Sequence, residues 1–470
     1  MSVTEKLVSI NALEREIFQR VCKLGAELFK VALETYDADL AKCRNRKAYR
    51  HKGKRRRTLK TVMGEVEYER TMYETVTNDG QKCTVYLLDE ALGLQGSGFF
   101  SGALTEQIVR AACESSFRST SRQISQLTGQ RISHTGAWHV VQAVGAQLGV
   151  QEKQAANRAY AQKSTGRLER KLLFEEQDGI YLKLQGKSRK KHKQGAEMKF
   201  MIAYDGAKKV GSNRYELTNK VACASFESAQ KFRRRKEGQI AAVYNVDEIQ
   251  TRVLGGDGAP WIRQGAVGDE VHFQLDVFHR NRAVLQHVAD PESQDLILKL
   301  LYSGDIDRCL EVIEAYANST LDEVEQENFI QLHTYFSNNK DGLVPYQRRG
   351  LSLPKPPDGK MYRRLGAIES NIFTILGNRM KGRRACWSIC GAENLARVLT
   401  RKYTGKLSEA LEKLDKSTLP ERYTEEVLSE ISADQIPKTV GTGYNGFTRG
   451  NIPEYQWAKR LTAYKPLSAM

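Results

Sequence analysis

Three acidic residues of this sequence stand where carboxylates would hold catalytic metal ions. Asp178 lies inside an apolar, β-forming segment, LLFEEQDGIYLKLQ; Asp257 follows a short apolar segment in VLGGDGAPWI; Glu369 lies at the head of a helical segment, GAIESNIFTILGNRMKGRR. Two-metal phosphoryl transfer needs acidic ligands from separate elements that converge on two cations about 3.5–4 Å apart. Carboxylate oxygens suit Mg²⁺ or Mn²⁺. The three residues are therefore candidate catalytic residues and candidate ligands of two such ions.

Each candidate also has an ordinary structural interpretation. A carboxylate among β-forming residues costs stability unless it is paired or binds a metal, but the Asp-Gly pair that Asp178 begins is also a common turn sequence. Asp257, between two glycines, fits a plain turn equally well, and the first turn of a helix favours Glu369 by charge alone. Asp276 and His279, in LDVFHRNRA, are candidates to support the acids or to contact DNA; a buried histidine with ordinary partners is the alternative.

The charge of the chain indicates a polyanionic partner. The 470 residues carry a net charge of +17, and a surface of that sign attracts nucleic acid. From Lys42 to Lys60, eleven residues are Lys or Arg and none is acidic. This density predicts an arm that follows phosphates, with a solvated linker as the alternative. The predicted DNA-binding residues of this arm are Arg44, Arg46, Lys47, Arg50, Lys52, Lys54, Arg55, Arg56 and Arg57.

A helix-turn-helix is predicted in SFRSTSRQISQLTGQRISHTGAWHVVQAVG. One helix spans about 119–127, Gly129 lies in the turn, and Ser133 caps the second helix. The second helix would enter the major groove of DNA with Ser133, His134 and Thr135 near base edges. A helical hairpin that does not read DNA is the alternative.

The order of strands and helices predicts the catalytic domain. From 171 to 289 the apolar pattern gives three strands, a helix, a strand, a helix, a strand and a helix. This is the order of a ribonuclease-H-like domain, a mixed sheet flanked by helices. The segment 290–340 lacks a strand pattern and predicts a small helical bundle. Basic residues after Glu369 are predicted to contact phosphates: Arg379, Lys381, Arg383 and Arg384.

The predicted fold is therefore an α/β multidomain protein, with a ribonuclease-H-like catalytic core that contains a helical insertion and follows a helical, basic DNA-binding region with a helix-turn-helix. Its predicted segments are N-terminal helices (1–40), a basic arm and a small β region around Gly64 (41–100), the helix-turn-helix domain (101–150), a linker (151–170), the first part of the core (171–289), the helical insertion (290–360), the last core helix with the third acid (361–405) and a C-terminal region (406–470).

The sequence also predicts a cellular compartment. No apolar stretch approaches the ~18 residues of a membrane span, and the N-terminus lacks a basic region followed by an apolar run. The eight cysteines are scattered, and the Cys386–Cys390 pair lacks the further ligands of a zinc site. Reduced thiols, a cytoplasmic location and no membrane partner are expected.

As a set, the motifs resemble those of the bacterial insertion-sequence transposases of the Asp–Asp–Glu (DDE) type. Within these, the chain is similar to a group related to the Mutator-like superfamily that was formerly classed as an uncharacterised protein family. The resemblance covers nearly the whole chain, in RTLKTVMGEVEYERTMY, YLLDEALGL, SFRSTSRQISQLTGQRIS, DGIYLKLQ, GGDGAPWI, LDVFHRNRA and the block from Gly366 to Ser388.

The resemblance implies a DNA transposase with the triad Asp178, Asp257 and Glu369, although Glu393 lies near the third position. It also implies a helical insertion before the glutamate. Such an enzyme uses Mg²⁺ or Mn²⁺ to hydrolyse phosphodiesters at element ends, and the freed 3′-hydroxyl then attacks target DNA. Double-stranded terminal repeats, target DNA and further copies of the chain are its implied partners. Relatives carry a short motif after the last strand, which Asp276 and His279 fill here. Two other functions stay open: a non-catalytic helix-turn-helix regulator and a structure-selective nuclease.

Overall fold

The computed structural model describes residues 9–77, 79–94, 100–163, 165–192, 194–266 and 268–414. These fall into two compact units, the first with the described residues up to 94 except 60–62, and the second with 60–62 and 100–414. The predicted C-terminal region lies outside the described residues from 415 onwards, as do the first eight residues of the predicted N-terminal helices.

The first unit packs one long helix against a small sheet. Its elements are α1 (Ile10–Cys43), β1 (Arg50–Thr61), β2 (Gly64–Val76), β3 (Lys82–Val85) and α2 (Leu87–Ala91), with the strands in the order β1-β2-β3. Leu33 of α1, Tyr68 of β2 and Leu88 of α2 are buried in one cluster. The predicted β region around Gly64 is confirmed. Most of the basic run predicted as an arm is strand β1, because its pairing with β2 satisfies the backbone groups that an isolated arm would leave to water.

The second unit is larger and contains both strands and helices. Its described strands are β4 (Leu168–Glu169), β5 (Leu172–Lys183), β6 (Gly195–Tyr204), β7 (Ala207–Gly211), β8 (Arg214–Leu217), β9 (Val221–Ser225), β10 (Tyr244–Asn245), β11 (Thr251–Gly256) and β12 (Val271–Leu275). Its described α-helices are α3 (Gly102–Glu114), α4 (Phe117–Thr128), α5 (His134–Ala161), α6 (Gly186–Lys191), α7 (Ala229–Ala241), α8 (Pro260–Arg263), α9 (Val277–His287), α10 (Pro291–Ser303), α11 (Ile306–Ser319), α12 (Glu323–Asn338), α13 (Ile368–Ile372), α14 (Asn378–Met380), α15 (Ile389–Tyr403) and α16 (Leu407–Leu414).

A five-stranded sheet lies at the centre of the second unit, in the order β12-β11-β5-β6-β9. Strand β11 is parallel to both β5 and β12, whereas β6 is antiparallel to β5 and β9. Successive side chains of a strand point to opposite faces: Phe174 of β5 belongs to one buried cluster, and its neighbour Leu173 belongs to another with Phe232 of α7. Both faces are therefore covered. The five strands of this sheet follow one another along the chain in the predicted order, but the third strand predicted from the sequence is divided into β8, which pairs with β7, and β9, which joins the central sheet.

The two helices predicted for the helix-turn-helix are present as α4 and α5. Gly129 has φ 68°, a left-handed conformation that favours glycine after a helix end, and the Ser133 hydroxyl accepts a hydrogen bond from Gly136 N at 2.9 Å. Helix α5 continues to Ala161, so part of the predicted linker at 151–170 is helical. It packs against α7 and α15, and a side chain at Gly145 would collide with the Asn394 backbone. This close contact joins the hairpin to the sheet-bearing core within one compact unit.

Three helices, α10, α11 and α12, occupy the predicted insertion. They share a buried cluster in which Ile297, Ile313 and Phe336 pack with Leu275 of β12. The chain then runs without α-helix to Ile368, so the helix predicted from Met361 begins later than expected. None of the described helices is long and apolar enough to cross a membrane.

Candidate metal centre

Three of the predicted acidic residues, Asp178, Asp257 and Asp276, lie in or directly after strands and meet at one edge of the sheet. Asp178 lies within β5, Asp257 directly follows β11, and Asp276 directly follows β12. Because the three strands are parallel and in register, the ends of β11 and β12 lie beside the middle of β5. Tertiary pairing therefore gathers carboxylates that are separated by up to a hundred residues of sequence.

A possible metal-ligand cluster forms at this edge. Asp178, His279 and Glu369 each offer one ligand atom, and these atoms all lie within 4.8 Å of one another. His279 Nε2 lies 3.6 Å from Glu369 Oε1. Two carboxylates and an imidazole are a donor set that fits a divalent cation, with the carboxylates suited to Mg²⁺ or Mn²⁺ and the imidazole to transition metals.

Asp178 is more buried than Glu369, the other carboxylate of the cluster. Its side chain accepts a hydrogen bond from Gly179 N at 2.6 Å. The pKa of Asp178 is raised to about 6, mainly by burial; the hydrogen bond from Gly179 and the charge of His279 lower it, and the negative charges of Asp257 and Glu369 add to the rise. The site therefore concentrates negative charge where water solvates it poorly, and a bound cation would relieve that cost.

His279 is held in position by Asp276. The Asp276 carboxylate caps α9 by accepting hydrogen bonds from Phe278 N at 2.9 Å and His279 N at 3.1 Å, and it lies 3.2 Å from His279 Nδ1. This contact leaves His279 Nε2 directed at Glu369. The hydrogen bond that His279 donates to Asp276 raises the pKa of His279; burial opposes this rise, and the charge of Asp178 adds to it. A carboxylate behind a histidine in this way fixes a ligand's orientation in metal sites.

Asp257 contributes to the site from beside the cluster. Its Oδ1 accepts a hydrogen bond from Ala259 N at 2.9 Å, and its backbone carbonyl accepts one from the Tyr335 hydroxyl at 2.7 Å. Tyr335 belongs to α12, so the inserted helices fix the loop that carries this acid. The charge of Asp257 raises the pKa of both Asp178 and His279, which places it within electrostatic range of the cluster.

Glu176 is a residue of the site that was not predicted from the sequence. This fully buried residue stands two positions before Asp178 on the same face of β5. Its carboxylate accepts hydrogen bonds from the Tyr204 hydroxyl at 2.5 Å and from Gly366 N at 2.8 Å and Ile368 N at 3.2 Å. Glu176 thus fixes the start of the helix that carries Glu369. The signal in the sequence was a group of three acids, Glu175, Glu176 and Asp178, in a strand that is otherwise largely apolar.

The alternative third acid, Glu393, is engaged elsewhere. Its Oε1 accepts hydrogen bonds from the Ser225 hydroxyl at 2.7 Å and from Phe226 N at 3.1 Å, and its other oxygen lies 3.4 Å from Arg397 Nη2. These contacts fasten α15 to the end of β9. Glu369, which belongs to the ligand cluster, is the better candidate.

The predicted DNA-contacting residues of the basic run from Lys42 to Lys60 differ in their surroundings. Arg57 pairs with the buried Asp89 at 2.7 Å, and Arg56 and Lys52 lie 3.4 and 3.3 Å from glutamates of β2. Arg44 is partly buried and donates to the Tyr49 carbonyl. The other members are exposed: Arg46, Lys47, Arg50, Lys54 and Arg55.

Among the predicted DNA-contacting residues of the second unit, some are engaged within the protein and others are exposed. Ser133 is occupied as the cap of α5, whereas His134 and Thr135 are exposed on its first turn. Arg379 donates from Nε to the Ala112 carbonyl at 2.6 Å. Lys381 and Arg384 are exposed, and the side chain of Arg383 lies outside what the structure describes. The DNA contacts themselves stay predictions.

Comparison with known proteins gives a family match over most of the chain. The model of the Uncharacterised protein family (UPF0236) matches residues 3–417. A UPF0236 protein of Caldanaerobacter subterraneus subsp. tengcongensis is 26% identical over 356 residues, 74% of this chain and 71% of the relative, and its name joins eleven gene designations. A second UPF0236 protein of that organism, whose name joins four, is 24% identical over 346 residues, 73% of this chain and 69% of the relative. The UPF0236 protein in the vanSb 3′ region of Streptococcus gallolyticus is 23% identical over 403 residues, 84% of this chain and 83% of the relative.

Proposed function

The chain belongs to the uncharacterised protein family UPF0236, and we propose that it is the DNA transposase of an insertion sequence. In this proposal the second unit is a ribonuclease-H-like catalytic core with Asp178, Asp257 and Glu369 as its acidic triad. The enzyme hydrolyses phosphodiester bonds at element ends and joins the freed 3′ ends to target DNA.

One observation carries the proposal: Asp178, His279 and Glu369 converge at a sheet edge to which Asp257 is also delivered. Carboxylates from separate elements at one point are the arrangement that two-metal phosphoryl transfer needs. When bound, Mg²⁺ or Mn²⁺ activates the attacking oxygen and stabilises the leaving one. The chain's own contribution is to hold the acids in place through Glu176 and Tyr335, and to orient His279 through Asp276.

The topology supports the same proposal. An antiparallel trio of strands followed by two parallel strands on the β5 edge, with helices on both faces, is the arrangement that we expect for a ribonuclease-H-like domain. The helical insertion of α10–α12 stands between β12 and Glu369, as the resemblance implies. One fold can host many functions, so the main support for the proposal is the ligand cluster, and the topology is additional support.

The names of the relatives add an independent argument. One relative carries eleven gene designations of a single organism under one protein name, and another carries four. A gene that copies itself to new chromosomal positions would produce such multiplicity, whereas a single-copy regulator or repair nuclease would not require it.

The DNA-binding part of the proposal rests on charge and position. The exposed basic residues of β1 give the first unit a surface that attracts phosphates. His134 and Thr135, exposed at the start of α5, are the candidates to read bases at element ends. Further copies of the chain would be needed to hold two ends together.

The decisive experiment is a cleavage and joining assay on duplexes that carry the DNA flanking the gene. We expect cleavage that requires Mg²⁺ or Mn²⁺ and joining of the cut 3′ ends to a second duplex. Asp178→Asn, Asp257→Asn and Glu369→Gln should each abolish both steps but keep end binding. The control variant Asp269→Asn changes an exposed acid on the β11–β12 loop and should keep cleavage, joining and end binding.

Other outcomes would assign a different function. Cleavage without joining would indicate a structure-selective nuclease. Sequence-specific binding without metal-dependent cleavage would indicate the helix-turn-helix regulator. Near-wild-type cleavage by any one of the three triad variants would remove that residue from the triad.

A further inference from the structure

The hairpin of β5 and β6 extends beyond the candidate metal centre. Strand β5 continues for five residues after Asp178, to Lys183, and these residues stay paired with the start of β6. At about 3.3 Å per residue, the end of the hairpin lies about 17 Å along the strand from Asp178. Helix α6 forms the connection at this end.

The connection is strongly basic. The segment 179–196 contains no acidic residue. Its exposed cations are Lys183, Lys187, Arg189, Lys190 and Lys191.

A second basic segment lies against the same end of the hairpin. Trp387 N donates to the Lys183 carbonyl at 3.0 Å, and Gln185 N donates to the Trp387 carbonyl at 2.8 Å. These bonds dock the segment that follows Glu369, with exposed Lys381 and Arg384, beside α6. The sequence from 370 to 392 also lacks acidic residues. Two basic runs almost two hundred residues apart thus meet in one place, which we call the hairpin-tip surface.

Both runs are connected directly to candidate metal ligands. β5 carries Asp178, and the second segment continues from the helix of Glu369. Duplex DNA presents one phosphate per ~3.4 Å of each strand, so the ~17 Å of β5 beyond Asp178 corresponds to about five base pairs. A duplex that runs along β5, with its cleaved phosphate at the metal centre, would therefore reach the hairpin-tip surface without bending.

We propose that the hairpin-tip surface binds the phosphate backbone of duplex DNA about five base pairs from the bond that is cut. The identity of this polyanion rests on the proposed function. The contact is independent of base sequence, because it consists of flexible cations directed at phosphates. It holds the DNA flank in line with the catalytic acids.

The test compares two matched lysine pairs in the full-length protein. Lys190→Ala/Lys191→Ala removes charge from the hairpin-tip surface, and Lys208→Ala/Lys209→Ala removes the same charge from β7, which follows the opposite end of β6. All four lysines are exposed, so both variants should fold. Binding of a duplex of about 30 base pairs is measured against salt concentration, without divalent metal.

We expect the first variant to lower the slope of log affinity against log salt by about 1.8, since each lost phosphate contact removes about 0.9. The control variant should keep the wild-type slope. A wild-type salt slope in Lys190→Ala/Lys191→Ala, or the same reduction of the salt slope in both variants, would overturn the proposal.

A built-in probe gives a second measurement. Cys386 is exposed between Arg384 and Trp387, so a bound duplex should slow its alkylation in the wild type and slow it less in Lys190→Ala/Lys191→Ala. Unchanged alkylation under saturating duplex would also overturn the proposal.

The two proposals fail separately. If the wild type cuts no DNA but the lysine pairs differ as expected, the catalytic function fails and the surface stands. If the wild type cuts and joins DNA but the pairs behave alike, the surface fails and the catalytic function stands.

Discussion

At the scale of single residues, Asp178 has the least favourable environment in the candidate site. Its carboxyl is buried, lies near two other acids and has its pKa raised to about 6. Below pH 4 the group is protonated in the folded and the unfolded chain alike. Between pH 4 and 6 the folded chain keeps a proton that the unfolded chain releases, so stability falls as pH rises through this window.

This gives a prediction for Asp178→Asn, whose side chain cannot ionise. In EDTA at pH 7.5 the variant should be more stable to unfolding than the wild type, by up to about 3 kcal/mol, because a shift of one pKa unit corresponds to about 1.4 kcal/mol. The gain should disappear near pH 4. Denaturant titrations at the two pH values measure it, with Asp269→Asn as the control.

In the presence of Mn²⁺ the wild type should be more stable to unfolding than Asp178→Asn. The wild type gains stability when a ligand binds its folded state, and the variant has lost one ligand. A variant that is less stable than the wild type in EDTA at pH 7.5 would contradict this account of the site.

At the scale of elements, Glu176 connects strand β5 to the helix of Glu369. Glu176→Gln can keep an oxygen toward the Gly366 and Ile368 amides, but it replaces a charged acceptor with a weaker neutral one. We expect the protein to stay folded and to lose cleavage rate by about 10–100-fold, because small displacements of catalytic groups cost about that much.

The control for this prediction is Tyr204→Phe, which removes the hydroxyl bonded to Glu176 but leaves both amide contacts. Its rate should fall much less. Equal losses in the two variants would show that general loosening of β5 and β6, and not the position of Glu369, limits the rate.

Helix α5 carries a second prediction at this scale. His134 and Thr135 are exposed on its first turn, off the buried side marked by Ala137 and Val141. Replacing both with Ala should lower the preference for element ends over scrambled DNA, since a good base contact is worth about 1–3 kcal/mol of discrimination. Competition binding at fixed salt measures the ratio.

Ser133 provides the comparison. Ser133→Ala removes a helix cap and should cost about 1 kcal/mol of stability, with the preference for element ends reduced less than in the double variant. A folded His134→Ala/Thr135→Ala protein with an unchanged ratio would make α4 and α5 a structural hairpin.

At the scale of the whole molecule, the +17 charge is not one uniform DNA-binding surface. Arg57 is committed to Asp89, whereas Lys54 and Arg55 are exposed. Lys54→Ala/Arg55→Ala should therefore lower the salt slope of DNA binding by about 1.8.

Arg57→Ala should behave differently. Its main effect should be to destabilise the first unit, because it leaves the buried Asp89 with weaker compensation. Thermal unfolding and salt titrations of the two variants separate these effects. A lowered salt slope in a stable Arg57→Ala protein would contradict the structural role of that pair.

The sequence by itself determined the local features of this protein. Apolar segments predicted β5, β11 and β12, and Gly129 and Ser133 predicted the turn before α5. The acids in or directly after these strands stood out because carboxylates are uncommon in apolar surroundings. These features are set by neighbours along the chain, through backbone preference and the period of buried side chains, so they can be predicted without knowing the fold.

Only the tertiary structure decided which groups meet. Strand register and helix packing place His279 against Glu369 and let Glu176 hold the start of the helix of Glu369. They also pair Arg57 with the buried Asp89 and bring two basic runs together at the hairpin tip. The same register raises the pKa of Asp178, because burial and neighbouring charges come from residues distant in sequence. The pKa of a carboxylate depends on which groups lie within a few ångströms of it. For residues far apart in the sequence, those distances are set only when the sheet forms and the helices pack against it.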